Sequence, residues 1–415
     1  MQLTKGAIGN LINRYKAVLK KCHLMNTFGS LAVAGMLVMG GAGVAVAADD
    51  VALEGKKTYD SAETPKVNHL MGGWLVKEDP TTEATGNITL DVKGGTISEI
   101  IGGSYVKANS AFNGTLTHGT ITTTISGKTT SAEFVVGGSK IANSENAHLK
   151  TGDISLTIKG GTFGTKDNTG GYELVMGGNY LKADKSAADK STAQAGDISV
   201  KIEGGEFHAS VVGGSTAHVY PSNGEKIPNL SVTDGSTSVT ITGGTFNPSE
   251  TNLNDANGGI NLSAAVIGGG LAYGANTSTV LGSKEAPANS SVSISGDKTI
   301  INGKVVAGSV VANNGGTAIV HGNTTLAMAG GTAHDDLIGG GMVENATTLP
   351  KDSTSSHNLN ITGDSSVKVT GGKALLGEVI GGNYVKTSTS RVNSAKVANS
   401  SVTITGGTFA NVDDS

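Results

Sequence analysis

Cysteine, proline and aromatic residues are scarce in this chain of 415 residues. Its single cysteine is Cys22, prolines number 7, and aromatic residues make up 4% of the chain. A chain with one cysteine has no internal disulfide and no zinc site of the multi-cysteine kind. So little proline excludes a collagen-like or proline-rich chain. The sequence therefore predicts a core of Val, Ile, Leu and Ala without covalent cross-links.

Positive charge is also scarce outside the first 48 residues. The formal net charge is −4, yet residues 1–48 hold five basic side chains and no acidic one. The rest of the chain is therefore more acidic, and it contains one arginine, Arg391. Proteins that bind nucleic acid concentrate basic residues on one face. The sequence therefore predicts that nucleic acid is not a partner.

Residues 1–48 have the pattern of an extended signal peptide. A basic stretch at 1–23 precedes an apolar stretch at 24–46, and small residues follow at Ala47 and Ala48. This is the order of a secretory signal, and we predict cleavage after Ala47 or Ala48. The alternative is a retained membrane anchor, because the apolar stretch has the length of roughly 20 residues that a spanning helix needs. Its glycines weaken helix formation, and its small-residue end favours cleavage.

Glycine is abundant, with 63 residues, and it forms two alternating phrases. The first phrase is an alternating apolar and polar run that closes on Gly-Gly in seven of nine copies, and its last glycine falls at 95, 127, 161, 205, 244, 296, 331, 372 and 407, where 127 and 296 follow a serine. The second phrase is two apolar residues before Gly-Gly, and its first glycine falls at 72, 102, 137, 177, 213, 268, 308, 339 and 381, where only Gly308 is followed by another residue, Ser309. Phrases that recur every few tens of residues indicate stacked structural units that share one core.

The first phrase predicts a strand with one buried face. Ile154, Leu156 and Ile158 alternate with polar residues, which places them on the same side of a strand. The glycine pair after them permits positive φ and so a sharp turn. The aromatic residues that often follow are predicted to point inward and to stack from coil to coil, at Phe163, Phe207, Phe246 and Phe409.

The second phrase predicts a short buried strand and another glycine corner. Polar stretches of variable length separate the repeats, such as residues 182–196 and 351–357. Variable length beside constant phrases is typical of loops that project from a regular core. The predicted fold is therefore all-β, a parallel β-helix solenoid with one coil per repeat.

The predicted organisation has three parts. These are the signal peptide at 1–48, a lead-in with a first partial coil at 49–86, and the solenoid repeats at 87–415. The chain stops after a first phrase, at Ser415, with no capping unit. Solenoids normally carry such a cap, so we expect the repeats to be truncated at their C-terminal end.

The chain resembles the passenger region of bacterial type V autotransporters and related surface adhesins. Three features carry the resemblance: the long basic signal, the absence of cysteine after Cys22 and the strand-Gly-Gly-Thr-Phe phrase. The resemblance implies a right-handed β-helix that a C-terminal β-barrel carries over the outer membrane. The sequence departs from the family there, because no terminal set of roughly ten-residue amphipathic strands is present. The implied location is the secreted or outer-membrane surface of a Gram-negative bacterium, with passage through the periplasm and a role in virulence. The signal segment implies contact with the secretion machinery.

Two sets of side chains are candidate sites. His334, Asp335 and Asp336 could hold a metal or perform acid–base chemistry, but a polar turn is favoured because no second catalytic element is identifiable. A recurring Tyr-x-Lys pattern could form a contact ladder for sugars or proteins. In the competing interpretation, tyrosine covers a corner and lysine stays in solvent. The ladder residues are Tyr105, Tyr180, Tyr384, Lys107, Lys182 and Lys386.

Three functions remain open. The first is an adhesin that attaches to host or bacterial surface glycans or proteins, or to copies of itself, by multivalent contacts. The second is a carbohydrate-active β-helix enzyme, a lyase or hydrolase, which requires carboxylates that converge on adjacent coils. The third is an inert structural stalk. We favour the adhesin, and the sequence predicts no enzymatic activity, no cofactor and no bound metal.

Overall fold

The computed structural model divides the chain into two units, Met1–Ala47 and Ala48–Ser415. It describes residues of the second unit, which are 50–59, 67–76, 84–107, 112, 114–142, 146–166, 173–183, 190–219, 229–248, 262–274, 276–313, 315–344, 356–375, 377–386 and 391–410. The predicted signal peptide and its cleavage residues Ala47 and Ala48 lie outside the described residues.

Each coil passes through four parallel sheets, which we number in chain order, and no described residue lies in a helix. Sheet 1 holds the first-phrase strands, and its described members are Lys56–Tyr59, Ile88–Val92, Ile121–Ile125, Ile154–Ile158, Ile198–Ile202, Thr237–Ile241, Ser290–Ile294, Thr324–Met328, Ser365–Val369 and Ser400–Ile404.

Sheet 2 follows the first glycine pair and leads to the second, and most coils contribute two short strands to it. Its described members are Asp50–Ala52, Val67–Met71, Gly95–Ile101, Thr130–Val136, Thr162–Phe163, Leu174–Met176, Glu206–Phe207, Ser210–Val212, Thr245–Phe246, Ala264–Ile267, Ile300–Ile301, Lys304–Val306, Thr332–Ala333, Leu337–Ile338, Lys373–Leu375, Val379–Ile380 and Thr408–Ala410.

Sheets 3 and 4 complete the coil. The described strands of sheet 3 are Leu75–Val76, Tyr105–Val106, Lys140–Ala142, Tyr180–Ala183, Thr216–Val219, Leu271–Tyr273, Val310–Ala312, Met342–Glu344 and Tyr384–Lys386. Those of sheet 4 are Ala84–Thr85, Thr115–His118, His148–Thr151, Thr192–Gln194, Leu230–Asp234, Thr277–Leu281, Gly316–Val320, Ser356–Ile361 and Arg391–Lys396.

Successive coils pair in register, so that the same phrase lies above itself. Ile154 pairs with Ile121 in one neighbouring coil and with Ile198 in the other, and the pairing is parallel. The backbone hydrogen bonds therefore run from coil to coil. The predicted all-β fold of parallel coils is confirmed, whereas the right hand of the coil stays a prediction.

The two glycine pairs are required for different physical reasons. Gly161, in the first phrase, has φ of +115°, a conformation that residues with a Cβ rarely adopt. Gly177, in the second phrase, has no positive φ, but a Cβ there would come within 2.4 Å of the carbonyl oxygen of Gly213 in the next coil. The second glycine pair thus permits close approach between coils. The sequence predicts only a sharp turn at this pair and not the close approach.

The interior is a continuous apolar column with an aromatic stack at its centre. Phe207 lies between Phe163 and Phe246, with ring centroids 5.0 and 4.6 Å away, and all three are fully buried. Phe409 occupies the same inward register position as these rings, as predicted, but it does not stack on a ring: its neighbour there is Ala374, and 43% of Phe409 is exposed. It lies in the last described strand of sheet 2 and pairs on one side with Ala374, so no described coil covers its other side.

Sheet 4 is the main feature that the sequence prediction missed. Residues 182–196, predicted as a loop, include the end of Tyr180–Ala183 and the whole strand Thr192–Gln194. Of the predicted loop 351–357, Ser356 and His357 begin a strand and the remainder lies outside the described residues. Strands at 50–76 also occupy sheets 1, 2 and 3.

Candidate functional site

The outer face of sheet 1 carries one hydroxyl residue per coil in the same register. Thr122 pairs with Ser155, Ser155 with Ser199, and Ser199 with Ser238. Paired strands lie about 4.8 Å apart, so the side chains form a regular line along the stack. We name this line the hydroxyl column, and its members are Thr89, Thr122, Ser155, Ser199, Ser238, Ser291, Thr325, Ser366 and Ser401.

The strand pattern explains why the column faces solvent. In Ile198–Ile202 the isoleucines and Val200 are buried, while Ser199 and Lys201 are exposed. Because strand side chains alternate between faces, an apolar interior fixes which residues point outward. The hydroxyl column therefore follows from the alternating first phrase.

A second line of polar side chains lies at the corner just before each sheet 1 strand. We name this line the corner ladder. Asp153 Oδ1 accepts a hydrogen bond from the backbone N–H of Asp197 at 2.9 Å, and Asp197 Oδ1 accepts one from Ser236 N–H at 2.8 Å. Asn289 and Asn323 repeat the contact further along. The ladder satisfies corner N–H groups that turn away from the sheet.

Between these two lines runs a shallow groove of about 520 Å³ that crosses five coils. Asp153 and Asp197 line one side, and Ser155, Ser199 and Ser238 line the floor. The Oδ2 atoms of the two aspartates, and the hydroxyls of the three serines, accept or donate no hydrogen bond to another residue in the described part of the chain. These groups are therefore available to a ligand.

The structure does not present the predicted Tyr-Lys ladder as an aromatic surface. Tyr105 and Tyr180 are 5% and 2% exposed, and both rings pack into a buried cluster between sheets 2 and 3. Tyr384 is partly buried against the same cluster. The rings are covered because they pack in this cluster with apolar residues that directly precede the second glycine pair in sheet 2, such as Ile101 and Met176. A binding role for the pattern stays a prediction that the buried rings do not support.

The lysines of that pattern differ in their surroundings. Lys107 Nζ contacts Asp50 Oδ2 at 3.0 Å, Lys182 is half-buried, and Lys386 is exposed. Asp50 also accepts a hydrogen bond from His69 at 2.6 Å. Burial acts to raise the pKa of Asp50, but the contacts with His69 and Lys107 outweigh it and hold that pKa below its usual range.

Carboxylates lie beside a lysine at two places on the coil stack. His69 lies between Asp50 and Glu99, and Lys140 Nζ contacts Glu99 Oε2 at 2.5 Å. Lys140 also lies 4.9 Å from the centre of the Tyr105 ring. The charges thus form a chain of ion pairs beside the buried aromatic cluster.

The second place includes the predicted candidate His334, Asp335 and Asp336. These residues connect the sheet 2 strands Thr332–Ala333 and Leu337–Ile338. Lys304 Nζ contacts Asp335 Oδ1 at 2.8 Å and Asp336 Oδ2 at 2.5 Å. Burial acts to lower the pKa of Lys304, yet the two carboxylates raise it above its ordinary value. The two ion pairs hold this turn against the neighbouring coil that carries Lys304. A small cavity of about 190 Å³ lies beside the turn.

Within the described ranges, no group of three or more His, Cys, Asp or Glu side chains is arranged to hold a metal ion. A helix with the length and apolar character to cross a membrane is likewise not found among those residues. No family model, curated protein or solved structure matches the chain.

Sequence reasoning identified the apolar side of sheet 1 but not the functional potential of its polar side. The hydroxyl column is visible in the sequence as a Ser or Thr directly after the first residue of each first-phrase strand. The corner ladder is visible as Asn, Asp, Ser or Thr directly before that strand. Only the register between coils shows that these residues form continuous lines.

Proposed function

We propose that this chain is a secreted or surface-displayed β-helical protein of the adhesin type, which mediates attachment or self-association by multivalent contacts. The observation that carries the proposal is the hydroxyl column, which repeats over nine described coils in register. Its partners would be glycans or proteins on host or bacterial surfaces, or further copies of the chain.

Repetition is the source of binding strength in this proposal. A single serine or threonine hydroxyl contributes little, because it exchanges a hydrogen bond with water for one with a partner. Several identical contacts on one rigid surface act together, since the second and later contacts form at a high effective concentration. The paired coils supply that rigidity.

The two charged places favour a structural role over catalysis. Asp50 and Glu99 contact His69, Lys107 or Lys140, and Asp335 and Asp336 contact Lys304. A glycosidase needs two carboxyls that both reach the scissile bond. Here the carboxylates are held in ion-pair contacts with side chains of other coils, which supports bracing between coils. Export through the predicted signal and display at the outer membrane belong to the same proposal.

Attachment of protein-coated beads to cells, at two surface densities of the protein, tests the proposed function. The purified chain would be coupled to beads at low and high surface density, and bead retention would be measured on layers of bacterial and mucosal cells. We expect retention to rise more steeply than the number of coupled molecules, because neighbouring molecules on one bead engage the cell layer together. Sedimentation velocity would measure self-association in parallel. A monomer whose beads are not retained at either density would contradict the proposal and favour the inert stalk.

A further inference from the structure

The groove on sheet 1 has the chemistry of a site for a polyhydroxylated polymer. Its floor offers the hydroxyls of Ser155, Ser199 and Ser238, each of which both donates and accepts hydrogen bonds. One side offers the Oδ2 atoms of Asp153 and Asp197, which accept only. The groove therefore matches a ligand that carries many donors and acceptors along its length.

The groove does not suit a peptide strand. Strand addition needs unpaired backbone groups at a sheet edge, whereas the backbone in the groove is already paired between coils. Ile154 N–H donates to Asp197 O at 2.9 Å, and Ile198 N–H donates to Ser236 O at 2.8 Å. A ligand lying across these coils has only side chains to contact.

The groove also lacks the anchors of a protein interface and the charge of a polyanion site. The outward positions of the strands from Ile88–Val92 to Ser400–Ile404 hold Ser, Thr, Lys, Asp and Ala. Protein interfaces are anchored by Trp, Tyr and Arg, and none of these is present there. The carboxylates of Asp153 and Asp197 repel phosphate, sulfate and uronate groups.

The repeat of the groove matches the repeat of an extended sugar chain. Coils follow one another at about 4.8 Å, and a hexose unit in an extended β-linked glycan is nearly as long as that rise. Each successive sugar therefore lies beside the next serine of the hydroxyl column, and alternate sugars of a β-1,4-linked chain present opposite faces to it. Five coils line the groove, so about five sugars would be held.

We propose that this groove binds a linear β-linked glycan of neutral or amino sugars, with about one sugar per coil. This inference rests on the proposed attachment function and names its ligand class. No aromatic side chain among the described residues of the groove lining stacks against the sugars, so each sugar contributes little binding free energy. Affinity therefore comes from the number of sugars bound at once. An amino sugar gains further from the two aspartates.

Oligosaccharides of defined length test the inference on the full chain by isothermal titration calorimetry. The probes are a β-1,4-linked glucose hexamer, a glucosamine hexamer, the dimers of both, and a galacturonic acid hexamer. We expect both neutral and amino hexamers to bind at least about tenfold more tightly than their dimers. Tighter binding of the galacturonic acid hexamer, or no binding of either other hexamer, would overturn the inference.

Matched variants locate the site. The triple variant Ser155→Ala, Ser199→Ala, Ser238→Ala removes hydroxyls from the groove, and the control Ser231→Ala, Ser278→Ala, Thr317→Ala removes three from sheet 4. We expect the first to weaken hexamer binding about tenfold and the second to leave it unchanged. Thermal unfolding followed by circular dichroism shows that both variants fold. Equal binding by the two variants would overturn the proposed location.

One charge variant separates the role of the aspartates from that of the hydroxyls. Asp197→Asn keeps an oxygen for the Ser236 N–H and removes the charge. We expect a larger loss of binding for the glucosamine hexamer than for the glucose hexamer, because only the amino sugar loses a charge attraction. If bead attachment is retained while no hexamer binds, the glycan inference fails and the attachment function stands. If both are absent, the attachment function fails as well.

Discussion

At the scale of single residues, the core contains a carboxylate that costs stability at neutral pH. Asp234 is 2% exposed and accepts hydrogen bonds from the N–H and the hydroxyl of Ser215. Burial raises the pKa of Asp234 to about 6, and the Ser215 contacts only partly offset this effect. A carboxyl with a raised pKa binds its proton more tightly when folded. Its stabilising effect is therefore present at low pH and is lost as pH rises from about 4 through 6.

We predict that Asp234→Asn stabilises the chain at pH 8 and not at pH 4. Asparagine keeps an oxygen for Ser215 N–H and carries no charge to desolvate. Because the pKa of Asp234 is raised to about 6, we expect the variant to gain on the order of 2 kcal/mol in free energy of unfolding at pH 8. Urea unfolding at both pH values measures it. The control is Asp153→Asn, at an exposed corner, and an equal gain in both variants would contradict the argument.

A buried histidine has the opposite pH dependence. His218 is fully buried, its Nδ1 atom lies 2.9 Å from the Tyr180 hydroxyl, and its ring meets Tyr273 edge-on. Burial, helped by the charge of Lys182, lowers the pKa of His218 to about 3. The folded state holds this imidazole neutral, whereas the unfolded state protonates it near pH 6.5. Stability is therefore complete above that pH and is lost as pH falls toward 3.

We predict that His218→Gln reduces the loss of stability between pH 7 and pH 4.5 by on the order of 2 kcal/mol. Glutamine keeps an acceptor for the Tyr180 hydroxyl and does not titrate. Thermal unfolding at the two pH values measures the difference. His334→Gln, in the half-buried turn of sheet 2, is the matched control. An unchanged acid response of His218→Gln would show that this ring is protonated without cost.

At the scale of strands and corners, two polar ladders tie neighbouring coils in opposite senses. In the corner ladder, a side chain accepts from the N–H of the following coil, as Asn289 Oδ1 does from Asn323. At the second glycine pair, a side chain accepts from the preceding coil, as Asn179 Oδ1 does from Ser139 N–H at 2.9 Å. Asn289 in the first ladder is exposed, whereas Asn179 in the second is fully buried.

We predict that Asn179→Ala destabilises the chain more than Asn289→Ala. Removal of Asn179 leaves the buried Ser139 N–H without its acceptor, which costs about 1–3 kcal/mol. Removal of Asn289 exposes Asn323 N–H to water, and the expected cost is at most about 1 kcal/mol. Chemical unfolding of the two variants compares them directly. A larger loss for Asn289→Ala would contradict the assignment of the two ladders.

The aromatic stack gives a second prediction at this scale. Phe207 is packed on both sides by rings, so we expect Phe207→Ala to cost about 3–5 kcal/mol through lost contacts and a cavity. Phe409→Ala should cost less than about 1 kcal/mol, because 43% of that residue is exposed. The fall in the midpoint temperature of thermal unfolding measures the loss of stability in each variant. Equal falls would mean that stacking between coils contributes little.

Sheets 1 and 2 were predictable because most of their inward residues are apolar and their turns need glycine. Ile154, Leu156 and Ile158 give a clean period of two, and Gly161 needs its positive φ. Sheet 4 was not predictable in this way, because polar residues such as Asp234, Thr277 and Thr279 occupy inward positions. The local alternation of apolar and polar residues is lost where polar side chains take the buried positions. The groove escaped prediction because it depends on register between residues far apart in sequence.

At the scale of the whole molecule, the proposed function requires that the chain is exported. The predicted signal ends at Ala47 or Ala48, so the exported chain should begin at Ala48 or Asp49. Expression of the full chain in a Gram-negative host, cell fractionation and N-terminal sequencing measure this. We expect the processed chain in the periplasm or beyond. A chain that keeps Met1 and fractionates with the inner membrane would instead support the retained anchor.

The proposed function and its ligand place the attachment contact on sheet 1 rather than on another face of the coil stack. Bead retention on cell layers, compared between the sheet 1 and sheet 4 triple alanine variants, distinguishes these faces. We predict that retention falls about tenfold for Ser155→Ala, Ser199→Ala, Ser238→Ala and stays at the wild-type level for Ser231→Ala, Ser278→Ala, Thr317→Ala. Retention that is unchanged in the first variant, or lost only in the second, would contradict it.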